Sequence, residues 1–259
     1  MRIAISGTSN QGKTTLINDF LKTWPAYKTE SKTYRDLIAE QKLPHSKNAT
    51  KNSQWKILNL MVEELQKYKK TDKVLFDRCP LDNLVYSLWC CEKKVGKIDD
   101  KFITKCIPIV KESFKHLDII FLLPITKVAP VKIEENGKRE TDEIYIKEID
   151  ALFKSLHRQY REALGRTPFF PADDSPGIIE IFGNPQERIE MIKFYLDVDG
   201  DLIGGDVSSP DNLFNPQNLD EMEKLLRVQK ETKEKEDMYS KEIAQIKDFV
   251  KKSGGRLKL

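Results

Sequence analysis

The chain is poor in the residues that build metal and disulfide sites. It has four cysteines and three histidines in 259 residues. No two cysteines form a C-x-x-C pair, and adjacent Cys90 and Cys91 cannot readily close a relaxed bridge with each other. Cys79 and Cys106 stand apart, and His45, His116 and His157 are scattered, so no zinc-ligand spacing is present. Reduced, mostly buried thiols in a cytoplasmic protein are the expectation. Long apolar runs are also missing. No stretch approaches the roughly 18 residues that cross a bilayer. Polar residues follow MRIAISG almost at once, which excludes a signal-peptide core there. Nor is there an excess of one charge sign: 44 basic residues face 41 acidic ones, for a net charge of +3. That balance argues against a protein devoted to coating nucleic acid and leaves a local basic patch open.

What is present is a soluble composition, 39% hydrophobic and 33% charged. The length suits one α/β domain with an appendage, or two small domains. RIAIS at 2–6 reads as a short buried strand, and a helix starts near Lys13 with Leu16, Ile17, Phe20 and Leu21 on one face. AYKTES is a second short strand, followed by a helix over KTYRDLIAEQ and an aperiodic loop, LPHSKNATKNS. Ser53 is positioned to cap a helix over QWKILNLMVEELQKY. KVLFD at 73–77 is a strand ending in a carboxylate, and Pro80 suits the first turn of the next helix. A helix over about 99–115, a strand at 117–124, a long amphipathic helix from Glu143, a strand GIIEIFG and a helix after Pro185 complete the pattern.

Strands alternating with helices predict an α/β fold. Its five-stranded, mostly parallel sheet would be covered by helices on both faces. The alternation stops near Leu196, which sets a core at 1–196. Residues 197–259 are then a linker or small hairpin followed by a charged helical extension over about 217–252. That extension lacks a sustained heptad. It reads as a helix or helical pair docking on the core or on a protein partner or second copy, with a solvated tail and a coiled coil as alternatives.

The chemistry is concentrated in Gly7-Thr8-Ser9-Asn10-Gln11-Gly12-Lys13-Thr14-Thr15. This is the P-loop pattern, with a strand before it and a helix after it, as the motif requires. Its glycines let backbone N–H groups curl inward around phosphate oxygens, and the helix adds its positive end. Lys13 reaches the β- and γ-phosphates of ATP, and Thr14 offers its hydroxyl to Mg²⁺. Asp77 and Arg78 end a strand that would open onto the same crevice. Asp77 is a candidate for holding Mg²⁺ or acting as a base, and Arg78 for neutralising charge. Asp82 is a weaker candidate, equally readable as a helix-start carboxylate.

With the P-loop and FDR at 76–78, the chain resembles the P-loop nucleoside and nucleotide kinases, thymidylate-kinase-like or deoxynucleoside-kinase-like. It is also similar to small ATP-binding kinases often encoded by phages and to ribosylnicotinamide kinases. The resemblance covers roughly residues 1–196 and implies that the α/β core is a P-loop NTPase fold. It implies transfer of the ATP γ-phosphate to a nucleoside or (deoxy)nucleoside monophosphate. It places Glu30 and Arg35 near the acceptor's hydroxyl or phosphate, and Gln54 and Trp55 against its base. It also implies a lid over about 125–142, closing with Arg139, and an adenine contact at Asn184 in IFGNPQERI. Structural alternatives stand beside each of these: a surface charge for Glu30 and Arg139, core filling for Trp55, a plain strand-to-helix turn at Asn184. Two other functions stay open. One is a kinase acting on a nucleic-acid hydroxyl, a 5′ end or a modified base, which is not favoured but which the more positive charge of the core than of the C-terminal segment keeps open. The other is an ATPase switch or assembly subunit.

Overall fold

The computed structural model describes residues 1–126, 141–162, 169–171 and 174–203. The lid expectation over most of 125–142, with Arg139, and the charged helical segment at 217–252 lie outside the described residues.

Strands β1 (Arg2–Ser6), β2 (Lys28–Thr29), β3 (Val74–Asp77), β4 (Ile119–Leu122) and β5 (Gly177–Glu180) form one sheet in the order β2-β3-β1-β4-β5. Every pairing is parallel. The helices are α1 (Lys13–Thr23), α2 (Tyr34–Gln41), α3 (Lys51–Gln66), α4 (Pro80–Glu92), α5 (Asp100–Ser113), α6 (Glu143–Glu162) and α7 (Pro185–Ile192). Side chains alternate between the sheet's faces. Ile3, Ile5, Ile119 and Phe121 pack with Leu16, Phe20, Ile189 and Ile192 of α1 and α7. Ala4, Phe76, Ile120 and Leu122 pack against α3 to α6 through Leu58, Leu84, Phe102 and Ile149. Both faces are therefore covered, which is why β1 and β4 are apolar at every position but Arg2 and Ser6. A third, smaller cluster of Leu37, Leu43, Ile57 and Met61 holds α2 against α3.

The start of α3 corrects one expectation. Its N-cap is Thr50, not Ser53. Ser53 N–H donates to Thr50 Oγ1 at 3.2 Å, and Thr50 N–H donates to Ser53 Oγ at 2.9 Å. The reciprocal pair is a capping box, so Ser53 sits one turn inside the helix and is fully buried. After α7 the chain makes the small hairpin that the sequence offered beside a linker. Leu196 and Leu202 form an antiparallel bridge. Trp24 Nε1–H donates to the Asp197 carbonyl at 2.8 Å, and Tyr27 O–H to the Gly200 carbonyl at 2.7 Å. Contacts with the core thus run on through 197–203.

Among the described residues, no helix is long and apolar enough to cross a membrane. All four cysteines are unbridged, and Cys79, Cys90 and Cys106 are buried.

Candidate functional site

The loop between β1 and α1 adopts backbone angles that its residues suit. Gly7 has φ 129°, Asn10 58° and Gly12 72°. A Cβ on Gly7 would lie 2.6 Å from the Leu123 carbonyl oxygen, so this position requires glycine on two grounds. Gly12 is the N-cap of α1, with no side-chain cap and no acid in the first turn. The first N–H groups of α1 are left for a ligand, and the helix dipole favours an anionic one. Thr14 and Thr15 are exposed in that first turn. Lys13 is buried, and its ammonium donates to the Thr8 carbonyl. Burial, and then the neighbouring Arg78, drive its pKa well below the ordinary lysine value. A phosphate beside Lys13 would supply the missing counter-charge.

Asp82 organises the loop from beneath. It is 1% exposed and accepts from Ser6 Oγ–H at 2.6 Å, Gly7 N–H at 3.3 Å, Cys79 N–H at 3.1 Å and Arg78 Nη1–H at 2.7 Å. Arg78 sits at the β3 end with φ 81°, a left-handed conformation rare for a side chain of this size. Its guanidinium also donates to the Gly7 carbonyl at 2.8 Å, Tyr34 Oη at 3.1 Å and Tyr86 Oη at 3.2 Å. It lies over both tyrosine rings. Removing one member of such a buried ion pair costs on the order of 3–5 kcal/mol. The pair therefore holds β1, the loop, β3 and α4 in one arrangement.

Beside the loop lies a cavity of ≈ 460 Å³. One end is Ser9 to Thr15 of the loop. The walls are Tyr34, Arg35, Ile38 and Ala39 of α2, His45 and Ser46, Gln54, Ile57 and Met61 of α3, and Arg78, Asp82, Asn83 and Tyr86. The volume suits a small ligand, and the lining combines apolar walls with a few fixed polar groups.

The predicted residues divide into those the cavity gathers and those it does not. Gln54 and Arg35 line it, together with Arg78 and Lys13. Trp55 does not. It lies on the other side of α3, edge-on to Phe102 of α5 with ring centroids 6.3 Å apart, and Lys105 Nζ is 3.8 Å above its ring centroid. These are packing contacts, as the core-filling alternative expects. Asp77 and Glu30 sit at the edge, in a smaller hollow that shares the walls Tyr34, Met61 and Arg78. Asp77 Oδ2 accepts from Arg35 Nε–H at 3.1 Å, while its Oδ1 is buried with no hydrogen-bond partner. Glu30 Oε1 accepts from Asp77 N–H at 2.9 Å, and its Oε2 is likewise buried without a partner. Burial pushes the Glu30 carboxyl up to about 7. Asn184 caps α7, accepting from Glu187 N–H at 3.0 Å, and does not line this cavity.

The residue that α7 sends to the loop is Arg188, buried, with Nη1 donating to the Gln11 carbonyl at 2.6 Å. In the sequence it stands unassigned within IFGNPQERI. Asn83, Tyr34 and Tyr86 were missed outright. Their one available signal was position, since Asn83 and Tyr86 follow Arg78 on the helix that Pro80 opens.

Fold and loop define a P-loop nucleotide-binding protein. A family model described as an AAA domain matches residues 2–164, and the chain belongs to that family. No curated protein matches the chain. Among solved structures, deoxyadenosine kinase from M. mycoides with dCMP and dCDP bound aligns at TM-score 0.51 and 16% identity, over 74% of this chain and 96% of that one. Thymidylate kinase from Candida albicans aligns at TM-score 0.50 and 14% identity, over 74% of this chain and 90% of that one. NadR protein in complex with NR aligns at TM-score 0.50 and 12% identity, over 70% of this chain and 45% of that one. The fold is that of the P-loop nucleoside and nucleotide kinases.

Proposed function

We propose that this chain is an ATP- and Mg²⁺-dependent phosphotransferase that moves the γ-phosphate of ATP to a nucleoside or (deoxy)nucleoside monophosphate. The observation that carries this reading is the cavity itself. It runs from the phosphate loop to a walled end between α2, α3 and α4, large enough for a nucleoside. An enzyme that only hydrolysed ATP would need water there rather than a lined pocket.

In this reading the loop amides and Lys13 bind the β- and γ-phosphates. The orphan Oδ1 of Asp77 and the exposed Thr14 fit a divalent cation beside them, and Mg²⁺ held there supplies charge neutralisation on the phosphate oxygens. The acceptor lies along Gln54, with Arg35 and Arg78 near its reacting end. Glu30, whose proton affinity is near neutrality, takes the proton of the attacking hydroxyl. That oxygen bonds to the γ-phosphorus as the bond from phosphorus to the bridging oxygen breaks, and ADP leaves. A monophosphate acceptor arrives already ionised, so it needs Arg35 rather than the base. The protein's contribution is positioning and charge stabilisation.

The test is a screen of nucleosides and nucleoside monophosphates with γ-labelled ATP. Lys13→Ala is expected to lower transfer by at least about 100-fold while its melting temperature stays near wild type. Undiminished transfer by that variant would overturn the assignment.

A further inference from the structure

Gln54 and Asn83 form a buried amide pair at the walled end of the cavity, 4% and 3% exposed. Asn83 Nδ2–H₂ donates twice, to the Gln54 backbone carbonyl at 3.1 Å and to Gln54 Oε1 at 2.6 Å. The backbone carbonyl can only accept, so it fixes which end of the Asn83 amide is nitrogen. That choice propagates. Gln54 must turn its Oε1 toward Asn83, and its Nε2 donor therefore points away. Asn83 Oδ1 is left buried with no hydrogen-bond partner. An orphan acceptor of this kind is costly until something donates to it.

We infer that this pair selects acceptors whose base carries an exocyclic amino group beside an unprotonated ring nitrogen, as adenine and cytosine do, against thymine, uracil and guanine. Gln54 Nε2 donates to the ring nitrogen, and the amino group donates to Asn83 Oδ1. Thymine, uracil and guanine offer the opposite order on that edge, a ring N–H beside a carbonyl. They place donor against donor and acceptor against acceptor. Asn83 acts both as a contact and as the positioning residue that holds the Gln54 amide in one sense. The inference rests on the proposed acceptor site, and it assigns the base end of that site.

The experiment measures binding and transfer separately. Calorimetry gives the affinity of the full chain for adenine-, cytosine-, thymine- and guanine-containing deoxynucleosides. γ-Labelled ATP gives transfer to the same set. Adenine and cytosine deoxynucleosides are expected to bind about tenfold or more tighter than those of thymine and guanine. In Asn83→Asp, the Gln54 amide turns round to donate to position 83 and presents Oε1 to the base, while the other oxygen of position 83 still accepts from the exocyclic group. Each class of base then meets one matched and one opposed contact, so the preference is expected to collapse. Gln54→Met, which carries no charge into the pocket, is expected to flatten the preference through KM rather than kcat. ATP affinity reports that each variant is folded.

Equal binding of all four bases, or tighter binding of thymine or guanine by the wild type, overturns the inference, while transfer in the same assay still upholds the kinase reading. The expected preference without transfer to any base upholds the inference and overturns the kinase reading. No binding of any base overturns both.

Discussion

Glu30 is where burial and chemistry meet most directly. Its carboxyl is raised from 4.5 to about 7, a shift on the order of 3 kcal/mol at the linkage conversion. The cause is removal from water with one of its oxygens unpaired. Between those two values the folded chain holds a proton that the unfolded chain has released. Stability from this group is therefore present at low pH and is lost as pH rises through about 7. Transfer to a hydroxyl acceptor runs the other way, rising as the base ionises. Glu30→Gln is expected to slow that transfer by about 10²- to 10⁴-fold and to remove its rise near neutrality. The same variant should flatten the fall in stability from pH 5 to 7, read from urea midpoints across that range. Unchanged pH–rate and pH–stability profiles would exclude Glu30 from both roles.

Among elements, α3 decides most about the cavity, and its capping box decides where α3 begins. Thr50→Ala is expected to cost about 1 kcal/mol, seen as a lower urea midpoint at constant slope, with ATP affinity unchanged. A wild-type midpoint would show that the box contributes nothing. The same helix shows what the sequence made legible. The apolar runs of β1, β3 and β4 and the loop after β1 could be read directly, because hydrophobic period and glycine spacing are local properties. The cap could not, because Thr50 and Ser53 are both good capping residues and only the fold decides between them. Gln54 and Trp55 are adjacent, yet a helix turns about 100° per residue. One therefore faces the cavity and the other α5. Sequence gives the helix but not its rotation. Asp82 and Arg188 were harder still. Their partners Ser6, Gly7 and Gln11 lie 75 or more residues away, at 76, 75 and 177 positions respectively.

At the scale of the whole molecule, ligand binding and stability are one equilibrium. ATP at about 100 times its Kd is expected to add about 2.7 kcal/mol to unfolding free energy. For a core of this size that raises the melting temperature by about 5–10 °C. Scanning calorimetry should show the shift in wild type and not in Lys13→Ala, and an equal shift in both would detach ATP from the loop. The hairpin at 197–203 is pinned by Tyr27 and by Lys73, whose Nζ lies 2.9 Å from Asp201 Oδ2. Those residues immediately precede β2 and β3. The phosphate loop follows the other end of β1, and in a parallel sheet all strand starts lie on one side. Val198, in that hairpin, is 91% exposed. A bead or surface linker attached at Val198 would therefore hold the protein by its base, with the mouth of the cavity turned away from the support.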